Sequence, residues 1–182
     1  MKKVLVIVAP GFEEIETVTV VDILRRAGAR VTLAGTEGGV TEGSRGINLV
    51  ADCHLKEVDV DGFDMVVLPG GQPGTSNLQK DEKVKEIILK MDRGNKKIAA
   101  ICAAPVVLQS AGLLSNTSFT SHPSVKEQFE GVPYSENRVV VDGNIITSQS
   151  PGTAMEFAMK LVEILFDSAR METVNKGVMA KL

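Results

Sequence analysis

The 182-residue chain holds two cysteines, Cys53 and Cys102, and only one of them occupies a position that favours chemistry. Cys102 follows the short apolar run 97–101. It precedes 103–108, which reads as a helix start with Pro105 in its first turn, where a missing N–H costs little. A thiol at such a strand-to-helix junction faces free backbone N–H groups and the positive end of a helix dipole. Both favour the thiolate, which is the nucleophilic form. Cys53 has no local signal of activation and reads as a small, partly buried hydrophobe or an interface residue.

Other groups along the chain can serve that sulfur. Glu13 and Glu14 suit a solvated acidic cap on a first helical turn. Glu16 lies slightly further in and gains catalytic meaning only if it points at Cys102. Gly70 and Gly71 follow an apolar strand. Glycines there let main-chain N–H groups approach closely, as in an oxyanion hole or anion nest, although a tight turn explains the pair equally well. Their spacing is not G-x-G-x-x-G, which weakens a dinucleotide reading. His122 stands before Pro123, and a lone histidine is more often structural than catalytic. His54 reads as a side-loop residue.

Composition narrows the classes of partner. The chain is 43% hydrophobic and 24% charged, with net charge −3 and pI near 5.5. That balance, with no tryptophan and one tyrosine, argues against a dedicated nucleic-acid surface. Two cysteines make no disulfide framework, and the adjacent pair Cys53-His54 lacks zinc-site spacing, so no metal is expected. The N-terminal Lys2-Lys3 and the apolar run 4–9 imitate a secretory signal. The run is too short and enters Pro10-Gly11 and three acidic residues, so it reads as a buried strand. No stretch approaches the roughly 20 apolar residues of a membrane span. A reducing, cytoplasmic setting is the expectation.

The elements that must position these residues alternate. Strands are expected at 3–8, 30–35, 65–68 and 97–101. Helices are expected from the Gly11 turn to about Ala27, over 81–93 and over 103–111, with a short strand possible at 118–120. The segment 36–62 reads as irregular with a small side hairpin. Strands 138–141 and 144–147 flank Asp142-Gly143, a two-residue hairpin signal. A last long helix carries Ala154, Phe157, Ala158, Leu161, Val162 and Leu165 on one stripe, and a shorter one at 168–182 docks or frays. Near-continuous apolar strands between helices imply one α/β domain over 1–182, with a mostly parallel sheet covered on both faces. Ligands of such sheets gather beyond the strands' carboxyl ends, which brings together the loops 9–16, 69–74 and 102–105.

Taken in order, APGFEEIETV at 9–18, RRAG at 25–28, LPGG at 68–71, AAICAAP at 99–105, HP at 122–123 and TSQSPGT at 147–153 resemble the ThiJ/PfpI, or DJ-one, family of deglycases and glyoxalases. The resemblance spans essentially the whole chain. It implies a flavodoxin-like three-layer sandwich and a homodimer. It carries the nucleophile, also an oxidation-sensitive thiol, onto Cys102, the neighbouring acid onto Glu16 and the nearby imidazole onto His122. The oxyanion role falls to the N–H groups of Gly71, in the loop that also holds Gly70, and of Ala103. Arg45 matches an arginine reaching across the dimer. Ala103 stands where family proteases and amidotransferases carry a histidine, so proteolysis is not expected. Cys53 lies one position from the second cysteine of the animal members, so no redox role passes to it.

The implied reaction is cofactor-independent. Cys102 adds to methylglyoxal, glyoxal or an early glycation adduct as a hemithioacetal, Glu16 and His122 shuttle protons, and water releases the hydroxy acid. A carboxylate beside a thiolate raises the thiol's pKa, so Glu16 must hold a proton and donate it toward sulfur, the two titrating as a pair. The same residues also fit an oxidative-stress sensor or redox-regulated chaperone. A non-catalytic binding module would leave Cys102 inert.

Overall fold

In β1 (Lys3–Val8) successive side chains enter opposite cores, which is why the strand is apolar without interruption. Leu5 and Ile7 point into one cluster, and Val4, Val6 and Val8 into the other. The computed structural model describes residues 1–129 and 131–182. After β1 the order is α1 (Glu14–Arg26), β2 (Arg30–Gly35), β3 (Val40–Glu42), β4 (Asn48–Val50), β5 (Cys53–His54) and β6 (Met65–Leu68). Then come α2 (Gly74–Lys80), α3 (Glu82–Arg93), β7 (Lys97–Ile101) and α4 (Pro105–Ser110). The chain closes with β8 (Val139–Asp142), β9 (Ile145–Ser148), α5 (Ala154–Leu165) and α6 (Ser168–Val178).

Seven strands form one sheet in the order β5-β2-β1-β6-β7-β9-β8. All neighbours are parallel except β8 with β9. The two core clusters occupy its two faces. Phe157, Leu161 and Val162 of α5 share one with Val20, Ile23 and Leu24 of α1. Val84, Ile87 and Ile88 of α3 and Val107 and Leu108 of α4 fill the other. This is the flavodoxin-like arrangement. The tail docks, with Val174 of α6 buried in the α1–α5 layer.

Several local expectations change. The segment 36–62 contains the side hairpin, β3 with β4 antiparallel, but also β5, which adds to the sheet edge beside β2. Two residues carry too little periodicity to read as a strand. His54 therefore belongs to an edge strand, with Nδ1 accepting the Lys56 N–H at 3.1 Å. The short helix α2 fills a stretch between the 69–74 loop and the 81–93 helix to which the sequence assigns no element. Residues 118–120 form no strand, only a bridge between Phe119 and Tyr134. The late hairpin turns on Gly143-Asn144, one residue beyond the expected pair, because Asp142 pairs with Ile145. Only the first loop position needs a positive φ, and Gly143 supplies it at +59°.

Candidate functional site

Cys102 is the residue at which β7 leaves the sheet, and its φ is +65°. A non-glycine residue adopts this left-handed backbone only when its surroundings enforce it. Here both backbone groups are held. Its N–H donates to Ser148 O at 2.9 Å, and its C=O accepts the His122 N–H at 2.7 Å. The kink turns the half-buried thiol toward the N–H groups of Ala103 and Gly71, both within hydrogen-bonding reach. The helix beyond is shorter than 103–111. It spans six residues from Pro105 and has no side-chain cap. Two individual N–H groups, rather than a long helix dipole, therefore face the sulfur.

Glu16 reaches the same place from α1 and is fully buried. Its Oε2 accepts the Gly70 N–H at 2.8 Å, while Oε1 is buried with no hydrogen-bond partner among the described residues. The carboxyl lies beside the Cys102 side chain, both packed against Gly70, and each influences the other's proton. Gly70 must be glycine. A Cβ there would lie 2.7 Å from Cys102 Cβ and 2.9 Å from Glu16 Oε2. Its N–H is committed to Glu16, so of the two glycines only Gly71 presents an N–H to the sulfur. Gly71 has φ +91°, and a Cβ on it would meet Glu13 N at 2.5 Å.

The electrostatics differ from the expected stable thiolate. Burial pushes the Cys102 thiol up, and the charge of Glu16 and its hydrogen bond push it further. The Ala103 and Gly71 N–H groups pull back without reversing the direction. Burial also raises Glu16, to about 7, against the Gly70 N–H and the Cys102 contact, with the charge of Glu13 adding a little. The pair therefore shares one proton near neutrality, and in the resting site sulfur competes for it strongly.

Glu13 and Glu14 are not a solvated cap, since both are buried. Glu13 is the N-cap of α1, its carboxylate accepting the Glu16 N–H at 2.7 Å and its own N–H donating to Gly70 O at 2.9 Å. An acidic residue three positions before Glu16 is a legible N-cap pattern. Glu14 clasps the β3–β4 hairpin, accepting the Arg45 N–H at 2.6 Å, the Ile47 N–H at 3.4 Å and the Ser44 hydroxyl at 3.1 Å. Burial opposes its charge, but these donors win and hold the carboxyl below its usual range. Arg45 itself is exposed at the hairpin tip. His122 is tied to Cys102 through the backbone, and Ser124, which the sequence did not single out, contacts its ring. Among the described residues, no three His, Cys, Asp or Glu side chains converge as a metal site. Among the same residues, no helix is long and apolar enough to cross a membrane.

Comparison with known proteins places this arrangement. The DJ-1/PfpI family matches residues 2–164. Protein dj-1beta of Drosophila melanogaster is 44% identical over 98% of this chain and 97% of its own length. The glutathione-independent glyoxalase DJR-1.2 of Caenorhabditis elegans is 36% identical over 90% of this chain and 89% of its own. The crystal structure of Drosophila melanogaster DJ-1beta superposes with a TM-score of 0.95, covering 98% of this chain and 97% of that one. With a family match over most of its length and relatives of this identity, the chain belongs to the DJ-1/PfpI family.

Proposed function

We propose that the protein is a glutathione-independent glyoxalase that converts small α-oxoaldehydes to hydroxy acids, with Cys102 as nucleophile. One observation carries the reading. A half-buried thiol on a left-handed backbone lies beside a buried carboxyl and faces two backbone N–H groups. Family membership and the glyoxalase relative support it.

The chemistry follows from the shared proton. As sulfur attacks the aldehyde carbon of methylglyoxal, Glu16 takes the thiol proton, and a C–S bond forms as the C=O π bond opens. The alkoxide settles on the Gly71 and Ala103 N–H groups and then receives that proton. The neutral hemithioacetal leaves Glu16 ionised again. Glu16, aided by His122, moves the carbon-bound proton from the first carbon to the second while the hydroxyl proton on the first oxygen passes to the second, giving a thioester of lactate. Water cleaves the thioester, releasing lactate and the thiol. The redox change stays inside the substrate, so the sequence of steps balances with water alone. The same addition extends to early glycation adducts, the deglycase reading.

The active form is read as a homodimer in a cytoplasmic setting. Ile15 and Val18 of α1 and Ile47 and Val50 around the β3–β4 hairpin are exposed in the monomer, and Val18 and Val50 line one groove between helix and hairpin. Arg45 at the hairpin tip is assigned to the site of a second copy. Sedimentation of wild type and Val50→Glu tests the dimer, which the charge should split.

The decisive assay is methylglyoxal turnover without glutathione or added metal, wild type against Cys102→Ser, beside intact mass after mild peroxide. Turnover lost in the variant supports the enzyme. Oxidation of Cys102 in a wild type that never turns over would replace it with a redox sensor.

A further inference from the structure

The imidazole of His122 is anchored at one nitrogen only. Nδ1 accepts the backbone N–H of Ser124 at 3.1 Å and lies 2.7 Å from Ser124 Oγ. An amide N–H is always a donor, so Nδ1 must present its lone pair, and the hydroxyl then also donates. In the neutral ring the hydrogen therefore sits on Nε2. Nε2 makes no hydrogen bond to any described residue.

The segment that carries this pair is fixed from both sides. The His122 N–H donates to Cys102 O at 2.7 Å, its C=O accepts the Val125 N–H at 3.1 Å, and Tyr134 Oη donates to Ser121 O at 3.0 Å. Ring orientation is thus referred, through one backbone bond, to the nucleophile residue itself.

We propose that Ser124 is a positioning residue that locks neutral His122 as its Nε2–H tautomer, so that His122 serves the substrate as a hydrogen-bond donor rather than as a base. The catalytic half of this rests on the glyoxalase reading above. A neutral imidazole with hydrogen on Nε2 cannot accept a proton there. Nor does it give that hydrogen up readily, because imidazolate would result. What it does well is polarise a carbonyl, a role neutral histidine fills elsewhere. When Glu16 removes the carbon-bound proton of the hemithioacetal, negative charge develops on the substrate's second oxygen. Donation from Nε2 to that oxygen stabilises the enediolate, and Glu16 alone carries the migrating proton. The chemical class selected is a dicarbonyl, with one oxygen for the Gly71 and Ala103 N–H groups and one for His122. A simple monoaldehyde lacks the second.

Ser124 is exposed, so its substitution leaves the core intact. The chain has two histidines, and the spectrum of His122→Gln assigns the ring signals. Long-range proton–nitrogen correlation on the full ¹⁵N-labelled chain, recorded where the ring is neutral, should show Nδ1 as the bare nitrogen and Nε2 as the protonated one. Ser124→Ala, which keeps the amide donor but loses the hydroxyl, should weaken the lock, leaving Nε2–H as the major form with a detectable minor fraction of the Nδ1–H tautomer. Its kcat for methylglyoxal should fall about three- to tenfold, the worth of one neutral hydrogen bond, with KM unchanged. Ser124→Thr should restore both. A wild-type ring protonated on Nδ1 overturns the proposal, as does a Ser124→Ala protein with an unmixed Nε2–H tautomer and full kcat. The spectra judge the lock even if wild type fails to turn over methylglyoxal, an outcome that removes the glyoxalase reading instead.

Discussion

Cys102 and Cys53 are both half-buried, and in both the thiol is pushed up, by burial first. Their surroundings then diverge. Around Cys102 the next influence is a buried carboxyl that can exchange a proton with it, and two N–H groups oppose the shift. Around Cys53 the remaining influences are the charges of Glu57 and then Asp52, with no donor opposing them. Cys102 sits at a forced φ of +65°, whereas Cys53 lies in a relaxed edge strand. Burial alone makes a thiol inert. Reactivity requires a proton acceptor within reach and a backbone bent to aim N–H groups at the charge that forms.

The largest test of this contrast exchanges sulfur for oxygen at each position. Cys102→Ser should lower kcat/KM for methylglyoxal by roughly a thousandfold or more, because a serine hydroxyl is a far weaker nucleophile beside a carboxyl base. Cys53→Ser should leave it unchanged. Equal losses from the two variants would mean that the site is not where the geometry puts it.

Next in size is Glu16→Gln. Removing the proton acceptor should lower kcat by about a hundredfold or more, the usual contribution of a positioned acid–base group. Retained turnover would take Glu16 out of proton transfer. Stability carries a second signature. A carboxyl whose folded pKa is raised from 4.5 to about 7 binds more protons folded than unfolded. Stability is therefore greatest below about 4.5 and falls as pH rises toward 7, by about 3 kcal/mol if Glu16 acts alone. Urea midpoints across that range should slope downward in wild type and flatten in the variant. By the same titration, kcat/KM should fall as pH drops below about 7.

A smaller effect comes from adding one methyl group near each cysteine. Gly70→Ala would put a carbon 2.7 Å from Cys102 Cβ and 3.0 Å from Ile101 O, neighbours that cannot yield. Overpacking of this kind costs about 2 kcal/mol, read as a lower denaturation midpoint, and kcat should fall with it. Gly38→Ala meets nothing closer than Cδ2 of His54, the residue after the other cysteine, at 3.6 Å and should be silent in both measurements.

The contrast also explains what the sequence could and could not reveal. The β7 strand, the Pro105 start and the glycine loop were readable because apolar periodicity and turn chemistry are local. That brought Cys102, Glu16 and Gly71 to one end of the sheet. The left-handed backbone of Cys102 was not readable, since it is imposed by bonds to Ser148 and His122, distant in sequence. Glu13 and Glu14 looked solvated because an acidic run is usually a surface feature, whereas tertiary donors bury them here. The state of the thiol is hidden from the sequence for the same reason. Burial is a property of the packed site and outweighs the two N–H groups that the turn supplies.

The smallest expected effect lies at Cys53 and isolates plain Coulomb repulsion. Glu57 is exposed, so its influence on the Cys53 thiol passes through water and is weak. Glu57→Gln should lower the Cys53 pKa slightly, and its thiolate fraction near pH 8 should rise by about twofold. Alkylation by iodoacetamide, followed by peptide mass spectrometry, should speed up by that factor at Cys53 and not at Cys102. High salt should shrink the difference, because screening removes what the substitution removes. A change in the Cys102 rate would mean that the two thiols share an electrostatic environment after all, and the separation between an inert edge cysteine and an assisted one would no longer stand.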